Sequence, residues 1–139
     1  MDVPDVRSVM TPAPRAVDSM EDSFTALALM EQHGVRHLPV IDKGELFGIV
    51  SERDLRSVRA ALSGARGEVG PPVRAVCSRA PYVVSPDEPL DEVATEMANR
   101  RLGTALVSEG TRLVGIVSTV DLCRALAKIV GRLRATSQA

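Results

Sequence analysis

Gly48-Ile49-Val50-Ser51-Glu52-Arg53-Asp54-Leu55 returns 67 positions on as Gly115-Ile116-Val117-Ser118-Thr119-Val120-Asp121-Leu122. The same offset pairs identical residues through both halves: Val6/Val73, Arg7/Arg74, Val9/Val76, Ala13/Ala80, Pro14/Pro81, Val17/Val84, Met30/Met97, Val40/Val107 and Leu46/Leu113. No gap is needed. A fixed-period repeat sets the building unit of a fold. The 139 residues therefore read as two copies of one small unit. A copy of about 65 residues buries little apolar surface alone, so the copies are expected to pack on each other.

Each copy has one order of elements. A short opening segment (Val6–Met10, Val73–Cys77) leads to an extended piece near Arg15–Val17 and Tyr82–Val84. A helix follows, roughly Asp22–His33 in the first copy. In the second, Leu90, Val93, Ala94 and Met97 give the i, i+3, i+4, i+7 spacing of one helical face. Leu38–Ile41 and Leu46–Val50 then flank Asp42-Lys43-Gly44-Glu45. Ala105–Val107 and Leu113–Val117 flank Ser108-Glu109-Gly110-Thr111. These read as strand pairs across a glycine-bearing turn. The runs are continuously apolar, so both faces are expected to be covered.

A second helix is expected to start at each serine. Leu55, Val58 and Leu62 mark the first. Leu122, Ala125, Leu126, Ile129, Val130 and Leu133 carry the other further. That longer stripe serves either a partner interface or the chain's own core. Ser63–Pro72 reads as a linker, broken by Gly64, Gly67, Gly70, Pro71 and Pro72. Residues 131–139 read as a helix end and tail, with Ala135–Ala139 a polar tail.

Composition narrows the function. A net charge of −1 lacks the basic excess of a general nucleic-acid binder. Phe24, Phe47 and Tyr82 are the only aromatics, too few for base stacking along a strand. Cys77 and Cys123 make no disulfide framework and are expected as buried, reduced thiols. With His33 and His37 they show no metal-ligand spacing. Asp2 and Asp5 flank only short apolar pieces, so no signal peptide is expected. No apolar run nears the roughly 20 residues of a membrane span. A cytoplasmic protein is expected. No nucleophile–base set emerges, and Gly-Ile-Val-Ser lacks the second glycine of a nucleophile elbow. No catalytic residue, and no enzyme, is expected.

The chemistry gathers at Ser51-x-x-Asp54 and Ser118-x-x-Asp121, where a strand gives way to a helix. A helix N-terminus offers free N–H groups and a positive partial charge. The aspartate would repel a phosphate directly beside it. It suits a vicinal diol, as on ribose, whose two hydroxyls a carboxylate accepts. Ser-x-x-Asp is also a capping-box pattern, and spacing leaves both roles open. Arg36 and His37 precede the first strand pair and could meet a phosphate, or form a solvated pair. Arg53 adds charge to the first copy. The second has Gly103-Thr104 and Val120 at the matching places, with Arg101 out of register.

These residues resemble a tandem pair of cystathionine β-synthase (CBS) domains. The paired Gly-Ile-Val-Ser-x-x-Asp-Leu runs carry the resemblance, with Val9-Met10-Thr11-Pro12, His37-Leu38-Pro39-Val40-Ile41-Asp42 and the 67-residue period. It spans about Val6–Lys128. The family implies an α/β (α+β) fold of two β-α-β-β-α repeats packed with pseudo-twofold symmetry, here 6–62 and 73–130, and commonly a homodimer. Its inter-repeat clefts often hold AMP, ADP, ATP or S-adenosylmethionine, and no cofactor is required. By resemblance, the first site would use Ser51, Arg53 and Asp54, with Arg36 and His37 at the phosphate end. It would borrow the other copy's segment Cys77–Val83, Ser78 included. The second would use Ser118, Thr119 and Asp121 beside Thr11–Val17. The expected function is a regulatory module that signals by a change of shape or assembly to an unidentified protein target. A ligand-independent dimerisation module and an S-adenosylmethionine sensor are the alternatives.

Overall fold

The computed structural model describes residues 3–62 and 69–138. The first copy comprises α1 (Val6–Val9), β1 (Thr11–Pro12), β2 (Val17–Asp18), α2 (Ser23–His33), β3 (His37–Asp42), β4 (Glu45–Ser51) and α3 (Glu52–Ala61). The second opens with a 3-10 turn at Val73–Ala75. It continues through β5 (Val83–Val84), α4 (Leu90–Arg100), β6 (Thr104–Glu109), β7 (Arg112–Ser118) and α5 (Thr119–Ser137). The mixed α+β order expected from the repeat is present in both copies.

Local chemistry sets the boundaries. Asp22 caps α2, its carboxylate accepting from the N–H of Phe24 at 2.8 Å and of Thr25 at 3.2 Å. This satisfies N–H groups that have no partner inside the helix. α2 stops at Gly34, whose φ of 65° is the left-handed geometry that ends helices at glycine. The β3–β4 turn places Lys43 and Gly44 at φ 51° and 82°. Two positive φ values match the twist of a tight hairpin.

The chain divides into two compact units: Pro14–Pro81, and Met1–Ala13 with Tyr82–Ala139. Each joins one copy's sheet and helices to the opening segment of the other copy. In Pro14–Pro81 the sheet order is β2-β3-β4, with β2 parallel and β4 antiparallel to β3. Its core is Val17, Ala26, Leu27, Met30, Leu38, Val40, Val50, Leu55 and Val73. In the other unit the order is β1-β7-β6-β5. Its core is Val6, Val84, Val93, Met97, Ala105, Val107 and Val117.

Several expectations need correction. Both faces are covered for β3 and β6, where Leu38-Pro39-Val40 and Ala105-Leu106-Val107 are buried in succession. In β4 and β7 only Gly48 and Val50, and Gly115 and Val117, are buried. That period of two marks strands covered mainly on one face. The polar tail is helical as far as Ser137. Nothing after Gly131 breaks a helix, and Thr136 folds its hydroxyl back onto the Arg132 carbonyl at 2.9 Å. Cys123 is exposed, on α5, while Cys77 is half-buried. Burial pushes the Cys77 thiol up, which keeps it protonated.

Of the linker, residues 63–68 lie outside the described residues. Its end is tied to α2: the Gly70 N–H donates to the Asp22 carboxylate at 2.7 Å, and Ser23 N–H to the Pro71 carbonyl at 2.9 Å. Among the described residues no helix is long and apolar enough to cross a membrane.

Candidate functional site

Strand register builds the first junction. Pairing of β3 with β4 puts His37 opposite Ser51. The Glu52 N–H, first in α3, donates to the Arg36 carbonyl at 2.8 Å. This ties the helix start to the residue before β3. The Ser51 hydroxyl accepts from the Asp54 N–H at 3.1 Å, so serine does cap the helix. The cap is only half a box. Among the described residues the Asp54 carboxylate enters no hydrogen bond or ion pair, and it is exposed.

An open cleft of about 690 Å³ lies here, lined by Arg36, His37 and Ser51 and by Glu52, Arg53, Arg56, Ser57 and Ala60 of α3. Arg56 is neutralised by Glu52 at 2.8 Å and Glu31 at 3.2 Å. Arg36 and Arg53 enter no ion pair among the described residues. The cleft wall therefore keeps two uncompensated guanidiniums, each able to fork onto a phosphate or carboxylate.

The structure thus gathers Arg36, His37, Ser51 and Arg53 in one cleft. Asp54 is on the same helical turn but does not line that cleft, and neither does Ser78. Ser78 instead bridges Ile49 through two backbone hydrogen bonds of 2.8 and 3.0 Å. Sequence reasoning missed Glu52, Arg56, Ser57 and Ala60. A signal for the last three was available: Arg53, Arg56, Ser57 and Ala60 recur at i, i+3, i+4 and i+7, one face of α3.

Burial holds the His37 imidazole below its ordinary value; the Asp54 carboxylate pulls it up and Arg36 pushes it down. The unfolded chain therefore binds this proton more readily than the fold does. The contribution of neutral His37 is present above about pH 6.5 and is lost as pH falls through the folded value. Urea midpoints of the wild type should fall between pH 7 and 5 more steeply than those of His37→Gln. Equal slopes would mean that His37 carries no such linkage.

The second junction repeats the backbone but not the side chains. Thr104 faces Ser118, and the Thr119 N–H donates to the Gly103 carbonyl at 3.1 Å. Thr119 is exposed on the first turn of α5. Here the capping box is complete. Asp121 accepts from the Ser118 N–H at 2.8 Å and hydroxyl at 3.0 Å, and from the Thr11 hydroxyl at 3.2 Å. It is 8% exposed. No cation replaces Arg36 or Arg53: Gly103 and Val120 stand in their places, and Arg101 serves as the left-handed cap of α4. Among the described residues no cluster of three or more His, Cys, Asp or Glu could hold a metal ion.

The model of the CBS domain matches residues 6–61 and 73–128. The CBS domain-containing protein YhcV of Bacillus subtilis is 30% identical over 117 residues, covering 84% of this chain and 81% of that protein. The CBS domain pair of protein MJ0100, crystallised with 5′-methylthioadenosine and S-adenosyl-L-methionine, superposes with a TM-score of 0.78 at 25% identity, over 91% of this chain and 98% of that one. CBSX2, crystallised with AMP, does so with a TM-score of 0.78 at 26% identity, over 90% and 97%.

Proposed function

The chain belongs to the CBS-domain family and carries two copies of the domain, and on that premise we propose that it is a regulatory module that binds adenosine-type ligands and signals by a change of shape or assembly. The observation that carries this reading is the first junction. Arg36 and Arg53 stand without counter-charges beside Ser51 and His37, and the neighbouring Asp54 carboxylate has no partner among the described residues. Two cations answer a phosphate, and a vacant carboxylate answers a diol. An adenine nucleotide such as AMP, ADP or ATP presents both. Solved relatives holding AMP, or S-adenosylmethionine with methylthioadenosine, support the nucleoside class. The working units are residues 6–62 and 73–130, and the role is binding without turnover, in the cytoplasm.

Thermal unfolding with millimolar AMP, ADP, ATP or S-adenosylmethionine tests it. A ligand at one hundred times its Kd stabilises by about 2.7 kcal/mol. The phosphate-bearing ligands should raise the midpoint most. No rise with any of the four would reject the reading.

Assembly as a homodimer is part of the same reading. On α5, Leu126 (61% exposed), Val130 (44%) and Leu133 (51%) line one helical face, and nothing among the described residues covers it. Leu126→Asp with Leu133→Asp should turn a dimer into a monomer in light scattering, with helicity unchanged. A wild-type monomer at about 100 μM would mean a dimer free energy weaker than about 6 kcal/mol and would reject the dimer.

A further inference from the structure

The two junctions differ in how much of their aspartate remains available. A carboxylate offers about four acceptor positions. At Asp121 three are taken, and both oxygens are held: Oδ2 by the Ser118 N–H and hydroxyl, Oδ1 by Thr11. One position is left, and a vicinal diol needs two. At Asp54 all remain open among the described residues.

Two of those bonds come from Ser118 itself, and the third comes from the crossing segment. β1 pairs with β7 through Thr11↔Ile116 and Pro12↔Gly115, and the Ala13 N–H adds a bond to the Val114 carbonyl at 3.2 Å. The segment is laid along the strand, and the Thr11 hydroxyl meets Asp121, 110 positions away in sequence. Ser78 occupies the same repeat position as Thr11. Among the described residues it hydrogen-bonds its strand only at Ile49, and its hydroxyl accepts from the Ala80 N–H at 3.3 Å. Among the described residues no hydrogen bond from Ser78 reaches the Asp54 carboxylate.

We propose that Thr11 is a latch that closes the Asp121 junction to diols, so that each chain binds one adenosine-type ligand, at the Ser51–Asp54 junction, and a second only when Thr11 lets go. This rests on the reading of Asp54 as the ribose acceptor. Thr11 is exposed, so its hydroxyl can turn to water without disturbing a core. Thr11→Val removes the donor and keeps the branched shape.

Titration calorimetry with AMP and adenosine tests the proposal on four proteins. Wild type should bind one AMP per chain. Asp54→Asn should weaken both ligands at least tenfold and leave adenosine below detection. Adding Thr11→Val to Asp54→Asn should restore one adenosine per chain. Adding Asp121→Asn to that pair should abolish it again. Two sites in the wild type, or no site gained with Thr11→Val while the wild type binds one, would overturn the latch. A ligand-free measurement separates this from failure of the ribose reading. In a double-mutant cycle of Thr11→Val with Asp121→Asn, the shifts in urea midpoint should be non-additive, since the two groups share one bond. If no protein binds either ligand, the ribose reading and the one-ligand statement fall together, and additive midpoints would then overturn the contact as well.

Discussion

Asp54→Ala is expected to weaken AMP binding by about tenfold to a hundredfold while leaving the fold nearly as stable as before. Each half of this expectation has its own cause. A hydrogen bond to a charged group contributes roughly 1.5–3 kcal/mol, and each 1.4 kcal/mol is about a factor of ten in Kd. A ribose diol losing its only carboxylate acceptor falls in that range. The Asp54 carboxylate holds nothing in the described protein, so its removal costs only a modest interaction with the helix start, about 0.3–1 kcal/mol. Asp121→Ala should behave in the opposite way. It dismantles a full capping box and the Thr11 contact, costing about 1 kcal/mol or more of stability, with AMP affinity unchanged. Arg36→Ala separates the phosphate from the sugar. It should weaken AMP and ATP far more than adenosine, because only the nucleotides carry the charge its guanidinium would meet. Calorimetry on the three variants checks all of this. Equal losses for AMP and adenosine in Arg36→Ala would remove Arg36 from the phosphate site. Unchanged AMP affinity in Asp54→Ala would remove Asp54 from the ribose.

Much of the fold was legible because the repeat is dense in local information. The 67-residue offset, the Asp42–Glu45 turn and the serine at each strand end act within a few residues of where they are read. So β3, β4, β6, β7 and the starts of α3 and α5 follow from the chain alone. The candidate site was legible only in part. Arg36, His37, Ser51 and Arg53 do meet in one cleft. That Ser118 forms a complete box and Ser51 half of one could not be read, because both copies carry the same Ser-x-x-Asp. One further difference is Thr11, brought to Asp121 from 110 positions away. Spacing carries no signal at that separation. The faces of β4 and β7 were misjudged for a related reason. An apolar run says that a strand can be buried twice over, but the neighbours that decide it come from elsewhere in the chain.

The repeated glycine needs a reason of that non-local kind, and it leads to the largest expected loss of stability. Gly48→Ala should lower the unfolding midpoint sharply, and Gly115→Ala should lower it much less. At Gly48 an added methyl overlaps the Ser78 carbonyl oxygen, with the Cys77 sulfur 3.2 Å away. A backbone oxygen cannot rotate aside. β4 and the crossing segment would have to separate. That strains the Ile49–Ser78 pair of bonds at 2.8 and 3.0 Å and the Arg79 Nε–H donation to the Phe47 carbonyl at 3.0 Å. It also disturbs the Arg79 guanidinium stacked 3.5 Å over the Phe47 ring. Overpacking costs about 1–3 kcal/mol, and loss of the two Ile49–Ser78 bonds adds about 1 kcal/mol each. A total near 3–5 kcal/mol is a large share of the roughly 5–15 kcal/mol that holds a small protein folded. At Gly115 the methyl overlaps the Met10 sulfur, with the Thr11 carbonyl 3.2 Å away. Methionine has three rotatable bonds and adapts to irregular space, so the side chain moves and the strand pairing survives. Urea denaturation of the two variants should therefore rank them clearly, Gly48→Ala below Gly115→Ala. Equal midpoints would mean that the crossing segment yields as easily as a side chain, and that Gly48 is not placed there by its contact with Ser78.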